Sequence, residues 1–413
     1  MDSEKIGQFE NLVSENVKRM SGANNLIFNE KVKSLIKEGK QIAHFGFGES
    51  PFPVPDPFVR ALRDNAHSRS YLPIQGTLEL RRTLSEFHSH YDGVRLDPDN
   101  QIVGPGSKEL IYLTINAFNG VVLLTSPTWL TYEQQCNLAG KVPVVLKTDK
   151  NKGWKLTTQT ILTGLETLPP SHRRGYKLLI LVNPGNPSGT CYTAEELQEV
   201  SLCCRENKIL VVSDEIYARL TFDGNHQTMF YPEGTILVNG FSKWASAGGW
   251  RLGYAYFPPT LRSLFEAVCS SASNTYSCAP SPMQDAIAFL ESVGVVGPKS
   301  GGGYYFMPDF EVVRNGLAKK GILTGDEMTK LMLEEAGVAL MSNTEFLRPS
   351  NELSVRFCFV CFDGTQALKS YKALKDKGIK LDFLRRTRKK IPGGKLSEFS
   401  PRNAETQGMG SKV

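Results

Sequence analysis

Five short polar segments carry side chains that can do chemistry together, and each directly follows an apolar run. Gly104-Pro105-Gly106-Ser107-Lys108-Glu109 follows Gln101–Val103. Its glycines permit a tight turn into a helix, whose first N–H groups, with Ser107 and Lys108, suit an anion such as phosphate. An ordinary helix cap explains the same residues. Ser126-Pro127-Thr128-Trp129 follows Val121–Thr125. Trp129 there can stack on a flat heteroaromatic ring or simply pack. The turn Asn183–Thr190, after Lys177–Val182, presents the amide of Asn186 or is a plain loop. Ser213-Asp214-Glu215-Ile216-Tyr217 follows Ile209–Val212. A carboxylate at the end of a buried strand needs a cationic partner or it neutralises. Tyr217, read as one helical turn on from Asp214, reaches the same ligand. Asn239-Gly240-Phe241-Ser242-Lys243 follows Ile236–Val238, and Arg251 lies shortly after, within Gly248–Gly253. A lysine in that position can form an imine with an aldehyde, and Arg251 can pair with a phosphate.

Taken singly, each segment has a structural explanation. Their shared placement after successive strands does not. A phosphate nest, a stacking ring, an amide, a carboxylate with a tyrosine, a lysine and an arginine together fit one ligand, a phosphorylated pyridine aldehyde.

The elements that must position these residues are legible as well. Apolar β-rich runs alternate with helical stretches such as Thr193–Asn207, which predicts a mostly parallel sheet covered on both faces. The expected fold class is α/β with a doubly wound core, and ligands of such sheets bind at the carboxyl ends of the strands. Residues 1–40 read as a helical N-terminal arm and 41–290 as a large cofactor-binding domain. Residues 291–380 read as a smaller α+β domain, with a helix at Gly325–Ala336, a strand at Leu353–Cys361 and a helix near Thr365–Lys375. Residues 381–413, with Arg385, Arg386, Arg388, Lys389 and Lys390, read as a basic and then polar tail. That composition suits solvated disorder; a nuclear address or a polyanion contact is the alternative.

Asn186-Pro187-Ser188-Gly189, Ser213–Tyr217, Ser242-Lys243 and Gly249-Trp250-Arg251-Leu252-Gly253 resemble the signatures of class I/II aminotransferases, which are pyridoxal 5′-phosphate (PLP) enzymes of fold type I. The likeness extends over most of residues 40–365. It includes Gly46–Glu49, Tyr71–Gly76 with Leu80-Arg81, and Ser354–Phe357. The resemblance implies that Lys243 holds PLP as an imine and moves the substrate proton, with Ser242 beside it. It implies that Asp214 keeps the pyridine nitrogen protonated, that Asn186 and Tyr217 bond the ring's phenolic oxygen, and that Trp129 stacks on the ring. Ser107, Lys108, Arg251 and Tyr71 of a second subunit would hold the phosphate, making the protein a homodimer. Gly48 and Arg356 would position the substrate carboxylate. The implied activity is transfer of an amino group between an α-amino acid and a 2-oxo acid, in amino acid metabolism or biosynthesis. A β-lyase or an aminocyclopropane-carboxylate-synthase-like reaction on the same fold is the alternative.

Three departures from the family stand out. Gly240 replaces a phosphate-binding serine, so that contact is expected to be absent. Met341-Ser342-Asn343-Thr344 replaces a Pro-Gly turn. The helical run Pro282–Val293 passes almost directly into Gly294–Pro298 and Gly301–Gly303, where relatives have a long connecting helix. An internally shortened and impaired form is the expectation there.

Composition excludes several other classes. A net charge of +6 over 413 residues is thin, and no basic stripe interleaves with aromatics, so nucleic acid is not an expected partner. Eight scattered cysteines suit a reduced interior. Cys358 and Cys361, on opposite faces of a strand, read as packing rather than redox or metal chemistry. No run approaches the ~18 apolar residues of a membrane span, and no signal-peptide core is visible near Met1, so the cytosol is the expected compartment. The six histidines lack metal spacing, and no metal is expected.

Overall fold

Apolar runs without polar alternation become strands when both faces are covered, and five such runs do so here. The computed structural model describes residues 12–20, 24–222, 226–228, 231–288 and 302–376. The strands in chain order are β1 Ala43–His44, β2 Gln101–Gly104, β3 Val121–Ser126, β4 Val144–Lys147, β5 Lys177–Val182, β6 Ile209–Asp214, β7 Thr235–Gly240, β8 Gly253–Tyr256, β9 Tyr305–Phe306, β10 Val338–Ala339, β11 Met341–Ser342 and β12 Val355–Cys358. Seven of them form one sheet in the order β2-β8-β7-β6-β5-β3-β4. Pairing is parallel from β7 through β6, β5 and β3 to β4, whereas β8 runs antiparallel to both of its neighbours. The fold is therefore the expected α/β type, with a doubly wound, mostly parallel sheet.

Alternation along the strands fills two cores. Leu178, Ile180, Val212 and Val238 point to one face, where they pack with Leu110, Ile111 and Ile115 of the helix Ser107–Ala117 and with Phe265 and Val268 of the helix Arg262–Thr275. Leu179, Leu181 and Val211 point to the other, against Ile161 and Leu165 of the helix Thr158–Glu166 and Leu197 and Val200 of the helix Ala194–Glu206. Burying side chains of this size is worth roughly 1.5–3 kcal/mol each, so the sheet is a rigid frame for whatever its strand ends carry.

The remaining strands are short. β1 pairs with β10 in parallel, and β12 lies antiparallel between β11 and β9. The strand expected at Leu353–Cys361 is shorter, Val355–Cys358, with an isolated bridge at Ser354. Gly325–Ala336 is a helix as expected, closed by a Thr324/Glu327 capping box. Contacts divide the chain into two units, Met1–Phe362 and Asp363–Val413. The described part of the second is the helix Gly364–Asp376, started by an Asp363 Oδ1 that accepts from the Gln366 amide at 2.9 Å. The proposed shortening between Val293 and Gly301 and the basic tail at 381–413 lie outside the described residues.

Candidate active site

The parallel strands end on one edge, and each of the five polar segments singled out first follows one of the strand ends on that edge. Because β8 runs the other way, its start lies on the same edge. Gly253 pairs with Gly104 of β2 on one side and Gly240 of β7 on the other. Arg251, just before Gly253, is thereby brought beside the Gly104–Lys108 turn, where its partner Pro105 is 146 residues away in the chain. A cavity of about 520 Å³ opens at this edge, within the usual range for small-molecule sites. Ser107, Lys108, Trp129, Asn186, Asp214, Tyr217, Ser242, Lys243, Arg251, Gly48 and Arg356 all line it. Tyr71 does not, and is 90% exposed.

One end of the cavity is cationic. The Lys108 ammonium lies 5.0 Å from the Trp129 ring centre. Arg251 donates from Nη1 to the Gly248 carbonyl at 2.8 Å and from Nη2 to the Pro105 carbonyl at 3.3 Å. Burial, and then Arg251 and Lys243, push the Lys108 amine below its ordinary value. Among the described residues none of these three cations has a carboxylate in ion-pair contact. The helix Ser107–Ala117 starts at Gly106 with no side-chain cap, unlike the helix after Thr193, so its first N–H groups are left for a ligand. Gly106 has φ 91° and ψ 154°, a backbone region essentially reserved for glycine, and a Cβ there would fall 2.2 Å from Arg251 Nη2.

The opposite charge sits at the end of β6. Asp214 is 2% exposed. Its Oδ2 accepts from the Tyr132 hydroxyl at 2.7 Å and its Oδ1 from the Ile216 amide at 3.2 Å. Burial outweighs these bonds and pushes the carboxyl up to about 6. Tyr217 follows in a turn that leads into a short 3-10 helix, Ala218–Leu220, rather than one turn along an α-helix. The side chain still reaches the cavity, and its hydroxyl lies 3.3 Å from that of Tyr305. Lys243 Nζ donates to the Gly48 carbonyl at 2.7 Å and lies 5.8 Å from the Tyr217 ring centre. Arg356, 3% exposed, donates from Nη1 to Asn186 Oδ1 at 3.3 Å and from Nη2 to the Gly46 carbonyl at 2.7 Å. Asn186 thus spends its oxygen on Arg356 and keeps its amide hydrogens for a ligand.

The donor set fits PLP. Unpaired cations and an uncapped helix start suit its phosphate, a buried carboxylate needing a proton-bearing partner suits its ring nitrogen, and a lysine amine suits its aldehyde. Met341 replaces the family's turn with a sulfur contact, its Sδ lying 3.1 Å from Arg356 Nη2. Sequence reasoning missed Tyr132 and Tyr305 and gave no separate role to Phe47 and Glu49 within Gly46–Glu49; all four line the cavity. Only Tyr132 had a findable signal, one helical turn after Trp129. Of the CxxC pair, Cys358 is buried and Cys361 is exposed, so only the first is a core residue; none of the eight cysteines is in a disulfide.

A doubly wound sheet with this site defines a PLP-dependent enzyme. The sequence matches the aminotransferase class I and II family over residues 40–292, more than half of the chain, and the chain belongs to that family. It is 27% identical over 376 residues to an asparagine–oxo-acid transaminase of Streptococcus mutans, covering 82% of this chain and 93% of the relative. An aspartate aminotransferase of Bacillus subtilis is also 27% identical, with the same coverages. A solved aspartate aminotransferase from Thermus thermophilus, with maleate, shares the fold at a TM-score of 0.73 and 24% identity, covering 85% of this chain and 96% of that one. The protein is a PLP-dependent aminotransferase that moves an amino group between an amino acid and a 2-oxo acid. No helix among the described residues is long and apolar enough to cross a membrane.

Proposed function

We propose that Lys243 carries the cofactor and moves the substrate proton, and that the residues around it divide the remaining work. Bound PLP supplies an electrophilic aldehyde and an electron-accepting ring. Asp214 holds the proton on the ring nitrogen, which its raised pKa and its seat at the end of β6 support. Ser107, Lys108, Ser242 and Arg251 grip the phosphate. Asn186, through its amide hydrogens, and Tyr217 orient the ring, and Trp129 covers one face of it. Arg356 takes the α-carboxylate as a fork, with Gly48 fixing the approach. The observation that carries this reading is the convergence of a buried carboxylate, a lysine amine and an unpaired buried guanidinium on one cavity.

The names of the relatives support aspartate and asparagine as the first amino donors to test. The exposed Tyr71 supports a homodimer in which each subunit completes the other's phosphate site. Eight cysteines outside any disulfide support a cytosolic setting. We also retain residues 41–290 as the cofactor-binding domain and 291–380 as a shortened partner to it. The family match ends at residue 292, which supports that position for the shortening.

The test is a half-reaction. The PLP-loaded protein is mixed with one amino acid at a time, without an acceptor. About one equivalent of the matching 2-oxo acid per site, with a change in cofactor absorbance, is expected. Continuous release of ammonia and pyruvate would instead mark a lyase.

A further inference from the structure

The carboxylate fork Arg356 is held in one plane by contacts that none of the assigned roles above uses. Its guanidinium carbon lies 4.3 Å from the ring centre of Tyr305 and 5.0 Å from that of Phe346. Both rings are buried, at 4% and 1% exposure. They arrive from different directions. Tyr305 lies on β9, beside β12, where it pairs with Cys358 two residues past Arg356. Phe346 closes the 3-10 helix that follows β11, whose Met341 pairs with Arg356 itself. In the plane, the Asn186 and Gly46 oxygens each take one N–H. Gly48 makes room for the arrangement, because a Cβ there would fall 1.6 Å from the Tyr305 hydroxyl oxygen.

A guanidinium binds a carboxylate through two parallel N–H bonds only when the two planes nearly coincide. Rotation about the last side-chain bonds tips the plane and breaks one of them. Oxygen acceptors at the edge resist sliding but resist tipping weakly. Aromatic rings beside the guanidinium resist tipping, attract the cation through the ring quadrupole, and keep water off it. We propose that Tyr305 and Phe346 are positioning residues that hold Arg356 flat for the substrate carboxylate. The proposal rests on the reading of Arg356 as the carboxylate-binding group. Tyr305 acts through its ring face; its hydroxyl, 3.3 Å from that of Tyr217, is not the operative group.

The test compares Y305M, F346M, Y305F and R356M in the PLP-loaded dimer. Methionine keeps bulk but removes the aromatic face. Y305M and F346M should each raise KM for the amino acid by about three- to thirtyfold, the range a cation–π contact spans from partly exposed to desolvated sites. The affinity of the 2-oxo acid, followed by cofactor absorbance, should weaken in parallel, with kcat much less affected. Y305F should recover most of the loss. Unchanged KM in Y305M and F346M, while R356M raises it steeply, would overturn the clamp and leave the carboxylate reading intact. A normal KM in R356M would overturn that reading itself. If Y305F were as impaired as Y305M, the hydroxyl and not the ring would be responsible, and the proposal would fail. Should Y305M not fold, F346M reads the second ring contact of Arg356 and decides the matter.

Discussion

Tyr132 donates its hydroxyl to Asp214 Oδ2 at 2.7 Å, in a site where both side chains are almost wholly buried. The bond opposes the effect of burial, which has pushed the Asp214 carboxyl up to about 6. Removing the hydroxyl in Y132F therefore raises that value further, leaving more Asp214 protonated at neutral pH and unable to pair with a ring N–H. Hydrogen bonds to charged groups are worth roughly 1.5–3 kcal/mol, so PLP affinity at pH 6.5 should fall by about tenfold or more. The gap should narrow toward pH 8.5, where the carboxylate is ionised in both proteins. Equilibrium titration of cofactor absorbance across this range checks it; a pH-independent gap would show that Tyr132 acts only by packing.

The same carboxylate makes the cofactor-free protein less stable as pH rises. Its folded value of about 6 exceeds the ordinary 3.8, so between these pH values the folded state holds the proton that the unfolded state has lost. Stability then falls with increasing pH through that window and levels off above it, by an amount on the order of 3 kcal/mol. D214N should flatten the fall. Without cofactor it should melt higher than wild type at pH 7 and match it near pH 4. With cofactor the order at pH 7 should reverse, because the carboxylate's partner is then present. Calorimetry of both forms distinguishes these outcomes.

Gly106→Ala places a methyl group against the Arg251 guanidinium and in a backbone region that costs about 1–3 kcal/mol for other residues. PLP should bind at least tenfold more weakly, while pyridoxal without its phosphate should lose much less. Equal losses for the two ligands would place Gly106 outside the phosphate site.

These three residues also mark what a linear reading reaches. Asp214 and the Gly106 turn were legible because parallel strands are continuous apolar runs, so a polar segment after one announces a strand end. Lys243 and Asn186 were legible for the same reason, whereas Arg251, just before β8, was legible through its likeness to the family motif Gly249–Gly253. Tyr132 lies off the strand end on the helix Thr131–Leu138, and its partner is 82 residues away. Tyr305 and Phe346 reach Arg356 through the pairing of two- and four-residue strands. Segments that short carry no periodicity. Tyr217 reads in sequence as one helical turn on from Asp214, but the Glu215 amide is drawn to the Val238 carbonyl at 2.8 Å, and the chain turns instead.

Lys243→Ala tests the central assignment by covalent chemistry. Borohydride treatment of the PLP-loaded wild type should fix a pyridoxyl group on the peptide containing Lys243, and K243A should carry none. Loss of the amine as proton carrier alone should cost about 10²- to 10⁴-fold in turnover. PLP should still be retained by K243A, because the phosphate and ring contacts persist. A label found on Lys108 instead would move the reactive amine to the other end of the cavity.

Asp92 controls stability at a distance from this chemistry. It is the last residue of the helix Leu78–Asp92, where the helix dipole disfavours an acid. Its side chain is 1% exposed, bonded to His88 Nδ1 at 2.8 Å and paired with Arg219. Arg219 in turn lies 5.3 Å from the Phe87 ring centre and 5.5 Å from that of Tyr91. Burial works against the charge, but His88 and Arg219 prevail and hold the carboxyl at about 2, below its ordinary 3.8. The stabilisation is therefore complete above about pH 4 and is lost as pH falls toward 2. D92N keeps the shape and strands the Arg219 charge, 16% exposed on its side chain. A cost of about 3 kcal/mol at pH 7 is expected for breaking such a pair, falling to roughly half of that at pH 3. R219K should lie between the two, because lysine restores the charge without the fork. Denaturant unfolding of the three proteins at both pH values measures the difference, and a D92N deficit of equal size at pH 3 would assign the loss to the hydrogen bonds rather than to the charge.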